Sequence, residues 1–191
     1  IGLNVRNTDT LLGDLQRYYN LSVEVLQDFG GPSVYFHQHA IAAQAAAFLG
    51  DRHIEMTYAT LASWGMHRMG DPEDTKAKMV EYDVFRSSIL ACQPELTALR
   101  NERIENVTAD RYRDLILGMK DVYGQLKVSI SESTVVAHAK TLAHILPQLV
   151  PPIDRQYTVR FFTQDASEFF TESGKYRLPQ VPKGDDAQFA L

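Results

Sequence analysis

The sequence predicts an all-α protein: a compact, bundle-like array of about seven to nine helices over 1–173, read as one helical domain, with an extended C-terminal tail over 174–191. Three observations predict it. Apolar side chains recur at three-to-four spacing through most of the first 147 residues, the period that gathers them on one face of a helix. Glycines, prolines and capping residues punctuate that pattern at helix-sized intervals. The segment Tyr157 to Phe162 is rich in β-branched and aromatic residues, but it has no second strand to pair with, and Asp154 is placed to cap a helix through it. Of the 191 residues 45% are hydrophobic and 23% charged, enough apolar surface for a core and too much for a disordered chain.

The elements follow in order. A first helix is expected near 9–28, with Leu11, Leu12, Leu15, Tyr18, Val25 and Leu26 at helical spacing, and Gly30-Gly31-Pro32 stops it. Ser33 can cap a second helix that runs through Ala40 to Leu49 and ends at Gly50; its small side chains let a neighbour approach closely. Asp51 then caps a third, carrying Ile54, Tyr58, Leu61, Gly65 and Met69 and ending at Gly70, with His67 and Arg68 in the last turn where the helix dipole favours positive charge. Asp71-Pro72-Glu73-Asp74 combines a capping Asp, an early proline and first-turn acids, and starts a fourth helix reaching about Cys92. Pro94 restarts a shorter helix to about Glu105, and Thr108 caps another to about Leu126. Ser131 or Ser133 caps one that Pro147 terminates.

Charge and cysteine content exclude several classes of function. Nineteen Lys and Arg against twenty-four Asp and Glu give a net charge of −5, the opposite of the balance that grips nucleic acid or anionic lipid. Residues 1–70 hold four basic and six acidic side chains, 71–127 nine and eleven, 128–174 three and five, and 175–191 three and two, so no segment is a basic arm. Arg100, Arg103, Arg111, Arg113, Lys120 and Lys127 alternate with acids, as on a solvated helix face. Cys92 is the only cysteine, which rules out an internal disulfide, a CxxC pair and a multi-cysteine zinc site, and its apolar neighbours Ile89, Leu90 and Ala91 make it a buried hydrophobe. Residues 29–50 contain no Asp, Glu, Lys or Arg, yet Gly30, Gly31, Pro32, His37, Gln38, His39 and Gln44 interrupt them far short of a bilayer span. The chain does not open on a basic region followed by an apolar core, so the expectation is a cytoplasmic protein with no membrane partner.

Motifs that carry chemistry are sparse. Six histidines are present, but His37 and His39 lie two apart, His138 and His144 six apart, and no HExxH pattern exists, so neither a metal site nor a cofactor is expected. GxSxG, GxxxxGK[ST] and GxGxxG are absent. The stretch Trp64-Gly65-Met66-His67-Arg68-Met69-Gly70 is dense in distinctive side chains. It reads either as close helix packing at Gly65 or as the wall of a ligand pocket with Tyr35 or Phe36, His37, Trp64 and His67. A helix from about 133 to 146 puts Val135, Val136, Ala139, Leu142, Ala143 and Leu146 on one apolar face, with Lys140 and His144 on its margin, four residues apart. Pro147 and Pro151-Pro152 follow, and then Asp154, a carboxylate at a helix start, flanked by Arg155 and Tyr157.

That last order of features resembles a known family. A helix bearing Lys140, then Leu142-Ala-His-Ile-Leu-Pro-Gln-Leu-Val-Pro-Pro-Ile-Asp154-Arg155, is similar to the end of the helix-hairpin-helix DNA glycosylase superfamily, and more so to its uncharacterised bacterial relatives, over roughly 30 of the 191 residues. The resemblance implies that Asp154 is the catalytic Asp, which stabilises a developing sugar cation or orients the attacking nucleophile. Ser131-Glu132-Ser133 stands where the family has Gly-x-Gly, and Val135 where it has its nucleophilic lysine, with Lys140 more than a turn later. The resemblance therefore implies monofunctional, base-flipping glycosidic hydrolysis rather than lyase chemistry.

Three expectations stand side by side. The first is a glycosylase-like helical scaffold that binds nucleic acid or a nucleotide-like ligand near Asp154, Arg155, Tyr157 and Lys140. The second is a non-enzymatic interaction protein, a homodimer joined through Phe161, Phe162, Phe169 and Phe170. The third is a small-molecule pocket between the second and third helices at Tyr35, His37, Trp64 and His67.

Overall fold

The computed structural model describes residues 4–68, 78–131, 134–163 and 183–189. Among them the chain is all-α as the spacing predicts, with ten α-helices rather than seven to nine, and its one β-type contact is an isolated bridge between Met79 and Ser129. Two compact units are formed. One holds the described residues of 4–30 and 153–163, the other those of 31–152 and 183–189; the expected tail boundary at 174 lies outside the described residues.

In the first unit, α1 (Val5–Gly13) and α2 (Leu15–Gln27) replace the single helix expected over 9–28. Asp14 divides them: its backbone leaves the helical region at φ −151°, ψ 58°, and its carboxylate accepts the Arg17 N–H at 3.2 Å. A short acidic side chain competes with the helix for backbone donors, and here it ends one helix and caps the next. After Asp154 a π-helical turn, Arg155–Val159, leads into α9 (Arg160–Thr163), so the helix expected through Tyr157 to Phe162 is formed. Asn4 donates its N–H to the Phe162 carbonyl at 2.6 Å, and the Asn7 amide reaches the Phe161 carbonyl at 2.6 Å, tying α1 to α9. Phe169 and Phe170 lie outside the described residues.

In the second unit, α3 (Pro32–Ala46) starts one residue before the expected Ser33 cap. Gly31, at φ 86°, makes the entry that only glycine adopts without strain, Pro32 takes the first helical position, and the Ser33 hydroxyl donates instead to the Ser63 carbonyl at 3.3 Å. A tight turn through Leu49, at φ 56°, leads to α4 (Asp51–Ser63), whose N-cap is Gly50 rather than Asp51. This third expected helix does not reach Gly70. It stops at Trp64 because Gly65, at φ 80°, takes the left-handed position that closes a helix, and 66–68 form a 3-10 turn.

The start signal at Asp71 to Asp74 lies outside the described residues. The helix expected to run on from it is interrupted, since Val80 N–H donates to the Val128 carbonyl and Ile130 N–H to the Lys78 carbonyl, and α5 (Tyr82–Ala91) begins only after this extended pairing. α6 (Gln93–Leu99) ends six residues before Glu105, and α7 (Ala109–Gln125) is capped by Thr108, whose hydroxyl accepts the Arg111 N–H at 3.3 Å, as predicted. The N-cap position of α8 (Val135–Ile145) is Thr134. Ser133 is outside the described residues and Ser131 donates its N–H to the Ser129 hydroxyl, while the Gln188 amide oxygen accepts the N–H groups of Thr134 and Val135 at 2.7 and 3.0 Å. Gln188 belongs to α10 (Asp185–Phe189), a short helix within the segment expected as an extended tail, of which 183–189 are described.

The core of this unit gathers Ile54, Leu61, Phe85, Ile89, Leu96, Val122 and Ile145, each worth roughly 1.5–3 kcal/mol on burial. Cys92 is buried among them, as predicted, and burial followed by the charge of Glu95 pushes its thiol pKa up. Every residue of α8 except Lys140 is buried. Among the described residues no helix is long and apolar enough to cross a membrane.

Candidate functional site

The turn between α3 and α4 explains why three histidines meet inside the second unit. Leu49 holds a left-handed backbone that a bulky side chain rarely adopts, and its N–H donates to His53 Nδ1 at 3.1 Å, one turn into α4. A backbone N–H can only donate, so His53 Nδ1 carries a lone pair and the ring proton sits on Nε2. Nε2 in turn donates to the His144 carbonyl at 3.0 Å, joining α4 to the end of α8.

The same logic fixes His144. Its Nδ1 lies 2.7 Å from the Lys140 carbonyl, which can only accept, so the proton is on Nδ1 and Nε2 is a lone pair. That lone pair lies 3.0 Å from His37 Nδ1, which must donate to it. His37 is left with its Nε2 lone pair, for which the described residues offer no hydrogen-bond partner. A directed chain results, from the Lys140 carbonyl through His144 to His37, and it shares the logic of an orienting group and base in a catalytic pair. Trp64 closes the group: its ring centre lies 5.1 Å from that of His144 and 5.7 Å from that of His37, and the Lys140 ammonium lies 5.6 Å from it on the ring face, worth about 0.5–1 kcal/mol.

Burial sets the charge state. His144 and His53 are 1% exposed, and desolvation holds the His144 pKa down at about 4, with His37 and His53 pushing the same way and the Lys140 carbonyl bond opposing. Burial also lowers His53, offset in part by its bond to the His144 carbonyl, and it lowers half-buried His37. A second buried imidazole, His138, is likewise brought down to about 4 by burial, against the charge of Asp185.

Of the sequence-predicted residues, His37, Trp64 and Lys140 come together, although the sequence assigns them to two different sites. Tyr35 is half-exposed and stacks on His39 at 4.0 Å between ring centres, with Phe36 edge-on at 5.5 Å. His67 Nδ1 bonds the Ala62 carbonyl at 2.8 Å, and His39 Nδ1 bonds the Tyr35 carbonyl at 2.8 Å, so neither joins the cluster through these atoms. His144, on a helix margin by its spacing, is buried in the structure, and His53, whose two-residue spacing to Glu55 argues against a metal site, is not singled out by the sequence as a site residue. For His144 the available signal was its setting, since it stands among apolar residues, whereas His53 lies between Arg52 and Ile54-Glu55 with no such signal. Among the described residues no three His, Cys, Asp or Glu side chains are grouped to hold a metal ion.

Asp154, Arg155 and Tyr157 belong to the first unit, whereas Lys140 belongs to the second. Asp154 accepts the Tyr157 N–H at 3.3 Å, the helix-start role expected of it, and Thr158 accepts the Asp154 N–H at 3.2 Å. The Arg155 Nε is buried without a hydrogen-bond partner among the described residues. Tyr157 is 65% exposed and lines a mainly apolar groove of about 470 Å³ with Leu11, Tyr18, Arg160, Phe161 and Phe162. No protein-family model matches the chain, and no curated protein or solved structure is significantly similar to it.

Proposed function

We propose that the protein binds a small molecule on the face of the second unit built by His37, Trp64 and Lys140. The observation that carries this reading is the directed hydrogen-bond chain, which fixes the His37 ring and leaves its remaining nitrogen lone pair uncommitted, next to an indole that an ammonium approaches. His53, whose role is to join helices, has both nitrogens engaged. Three chemically different groups at one place, an acceptor, a cation and a flat apolar ring, are the elements of a specific small-ligand site.

Thermal-shift screening of a metabolite panel, followed by calorimetry on each hit, tests it. Affinity is expected to fall at least about tenfold in Trp64→Ala and in Lys140→Met, the loss of one good contact. Hits that bind both variants as tightly as wild type would overturn the assignment. A labelled duplex carrying an abasic-site analogue, added to the same panel with Asp154→Asn as control, scores the glycosylase-like expectation.

A second reading is favoured by one observation. Val5, Leu12, Leu15, Tyr19, Val25 and Leu26 of α1 and α2 are 54–66% exposed, a concentration of bare apolar side chains of the kind that marks interaction surfaces. Homodimerisation through this surface predicts a doubled mass by light scattering at high micromolar concentration, reverting to monomer in Leu26→Lys. A monomeric wild type would remove it.

A further inference from the structure

We infer that the face of the second unit formed by α7 and the start of α8 is a docking site for a short segment carrying an acid, a glutamine two residues later and then an aromatic, and that α10 occupies it as a tethered ligand. None of its groups belongs to the ligand site proposed above. A helix of five residues does not hold itself, so the order of α10 comes from the surface it lies on. Gly184, at φ 85°, turns the chain into it, and of residues 183–189 only Gln188 is buried, at 2% exposed. The anchor is therefore a polar side chain, whereas a helix built into a core anchors through apolar ones.

The face is shaped to receive that anchor. Thr134 stands at the cap position of α8 without capping it, and the N–H groups of Thr134 and Val135 converge on the Gln188 amide oxygen at 2.7 and 3.0 Å. An amide oxygen has two lone pairs, which these two donors fill. The Thr134 hydroxyl, 3.2 Å from that oxygen and 3.1 Å from Asp185 Oδ1, therefore donates to the carboxylate. Tyr123 in turn donates its O–H to the Thr134 oxygen at 3.1 Å, which draws α7 into the contact. Two groups of α7 meet the neighbours of Gln188: the Lys120 ammonium lies 3.1 Å from Asp186, and the Tyr123 ring meets Phe189 edge-on, 5.4 Å between centres. Charge, amide and ring are each met by a matching group within four consecutive residues.

α10 leaves one buried atom of this face unserved. His138, one turn into α8 from Thr134 and packed on Tyr123 at 4.5 Å between ring centres, is 2% exposed, and its Nδ1 has no hydrogen-bond partner among the described residues. Buried polar atoms of a settled core are satisfied almost without exception, so this one marks a face that α10 fills incompletely. The chain also leaves the second unit after residue 152 and returns to it only with this segment, so α10 is tied to the face through residues that belong to the other unit. The tether gives α10 a high local concentration, with which any free segment must compete.

Fluorescence polarisation with a labelled peptide of residues 183–191 tests the site on the full chain. In the double variant Asp186→Lys, Gln188→Lys the tethered segment presents cations to Lys120 and to the N–H groups of α8, and it vacates the face. That variant is expected to bind the wild-type peptide at least about tenfold more tightly than the wild-type chain does, because the apparent affinity of the wild-type chain is reduced by the fraction of chains whose face is open. Against the double variant, a peptide with Gln188→Leu should bind about fivefold more weakly, and one with Gln188→Glu at least as well as the wild-type peptide.

No binding by the double variant overturns the docking site. Equal binding of the Leu and wild-type peptides overturns the recognition of the anchor. If the double variant does not fold, native-state hydrogen exchange of the wild-type chain decides: the amide protons of Thr134 and Val135 should exchange together with that of Gln188, through an opening that spares Leu142 and Phe85. Exchange of all five only through one common opening overturns a separable α10.

Discussion

α2 and α4 are both thirteen residues long, and α2 separates its polar and apolar residues more sharply, yet α4 buries six side chains and α2 none. Segregation of a face shows that a helix is ready for a partner; burial shows that it has one. α4 lies against α8 and α3, and it accepts polar residues into that contact because each one satisfies itself locally or across the interface. The Thr57 and Thr60 hydroxyls donate one turn back, to the carbonyls of His53 and Met56 at 2.9 and 2.7 Å, and His53 bridges Leu49 to His144. Polar satisfaction, more than amphipathicity, separates the two helices.

The largest test of this contrast is acid. His138 and His144 titrate near 4 when folded and near 6.5 when unfolded, so the unfolded chain binds more protons between those values. Stability is full above about pH 6.5 and falls as pH drops toward 4, by up to about 3 kcal/mol for each histidine. Urea unfolding followed through Trp64 at several pH values measures it, and a stability flat from pH 7 to 4.5 would mean that the buried imidazoles do not resist charging.

A cavity test comes next. Leu61, fully buried on α4, should lose about 3–4 kcal/mol as Leu61→Ala, while Leu26→Ala on α2, 64% exposed, should stay within about 0.5 kcal/mol. Comparable losses would show that Leu26 packs against another part of the chain. His53→Phe keeps the bulk but leaves the Leu49 N–H and the His144 carbonyl without their bonds, an expected cost of about 2 kcal/mol that also flattens the acid dependence. A more stable variant would assign the bridge to ligand binding rather than folding. The smallest effect is at the α8 cap: Gln188→Ala should cost about 1 kcal/mol, and Gln188→Glu, whose carboxylate faces a helix N-terminus, should restore it. A Glu variant no better than Ala would show that the contact is not a cap.

The helical class was legible because periodicity, the Gly30-Gly31-Pro32 break and the Thr108 cap are local signals, and each is realised in the structure. Breaks are less legible. Gly65 reads as a packing glycine, yet its positive φ ends α4, and Asp14 looks like any polar residue in a helix until its carboxylate turns back on the chain. The extended pairing of 78–80 with 128–130 joins segments far apart in sequence, and no local pattern announces it. The site was half legible for the same reason. Trp64, His37 and Lys140 stand out by their chemistry, whereas the bonds that organise them, His37 to His144 and His53 to the His144 carbonyl, span 107 and 91 residues.

The Gln188 cap also sets an order of assembly during synthesis. α8 leaves the ribosome more than 50 residues ahead of the side chain that completes its N-terminus, a delay of roughly 3–10 s at ordinary elongation rates. The first unit needs 153–163 to join its helices, and these too are made before 183–189. The later-closing unit is therefore the one that holds the histidine cluster, whose His144 stands on the helix that Gln188 caps. Each unit is split in sequence, so neither can be transplanted as one continuous segment. A ribosome-stalled chain ending before residue 183 should hold α8 in a looser, more protease-sensitive state than the released protein.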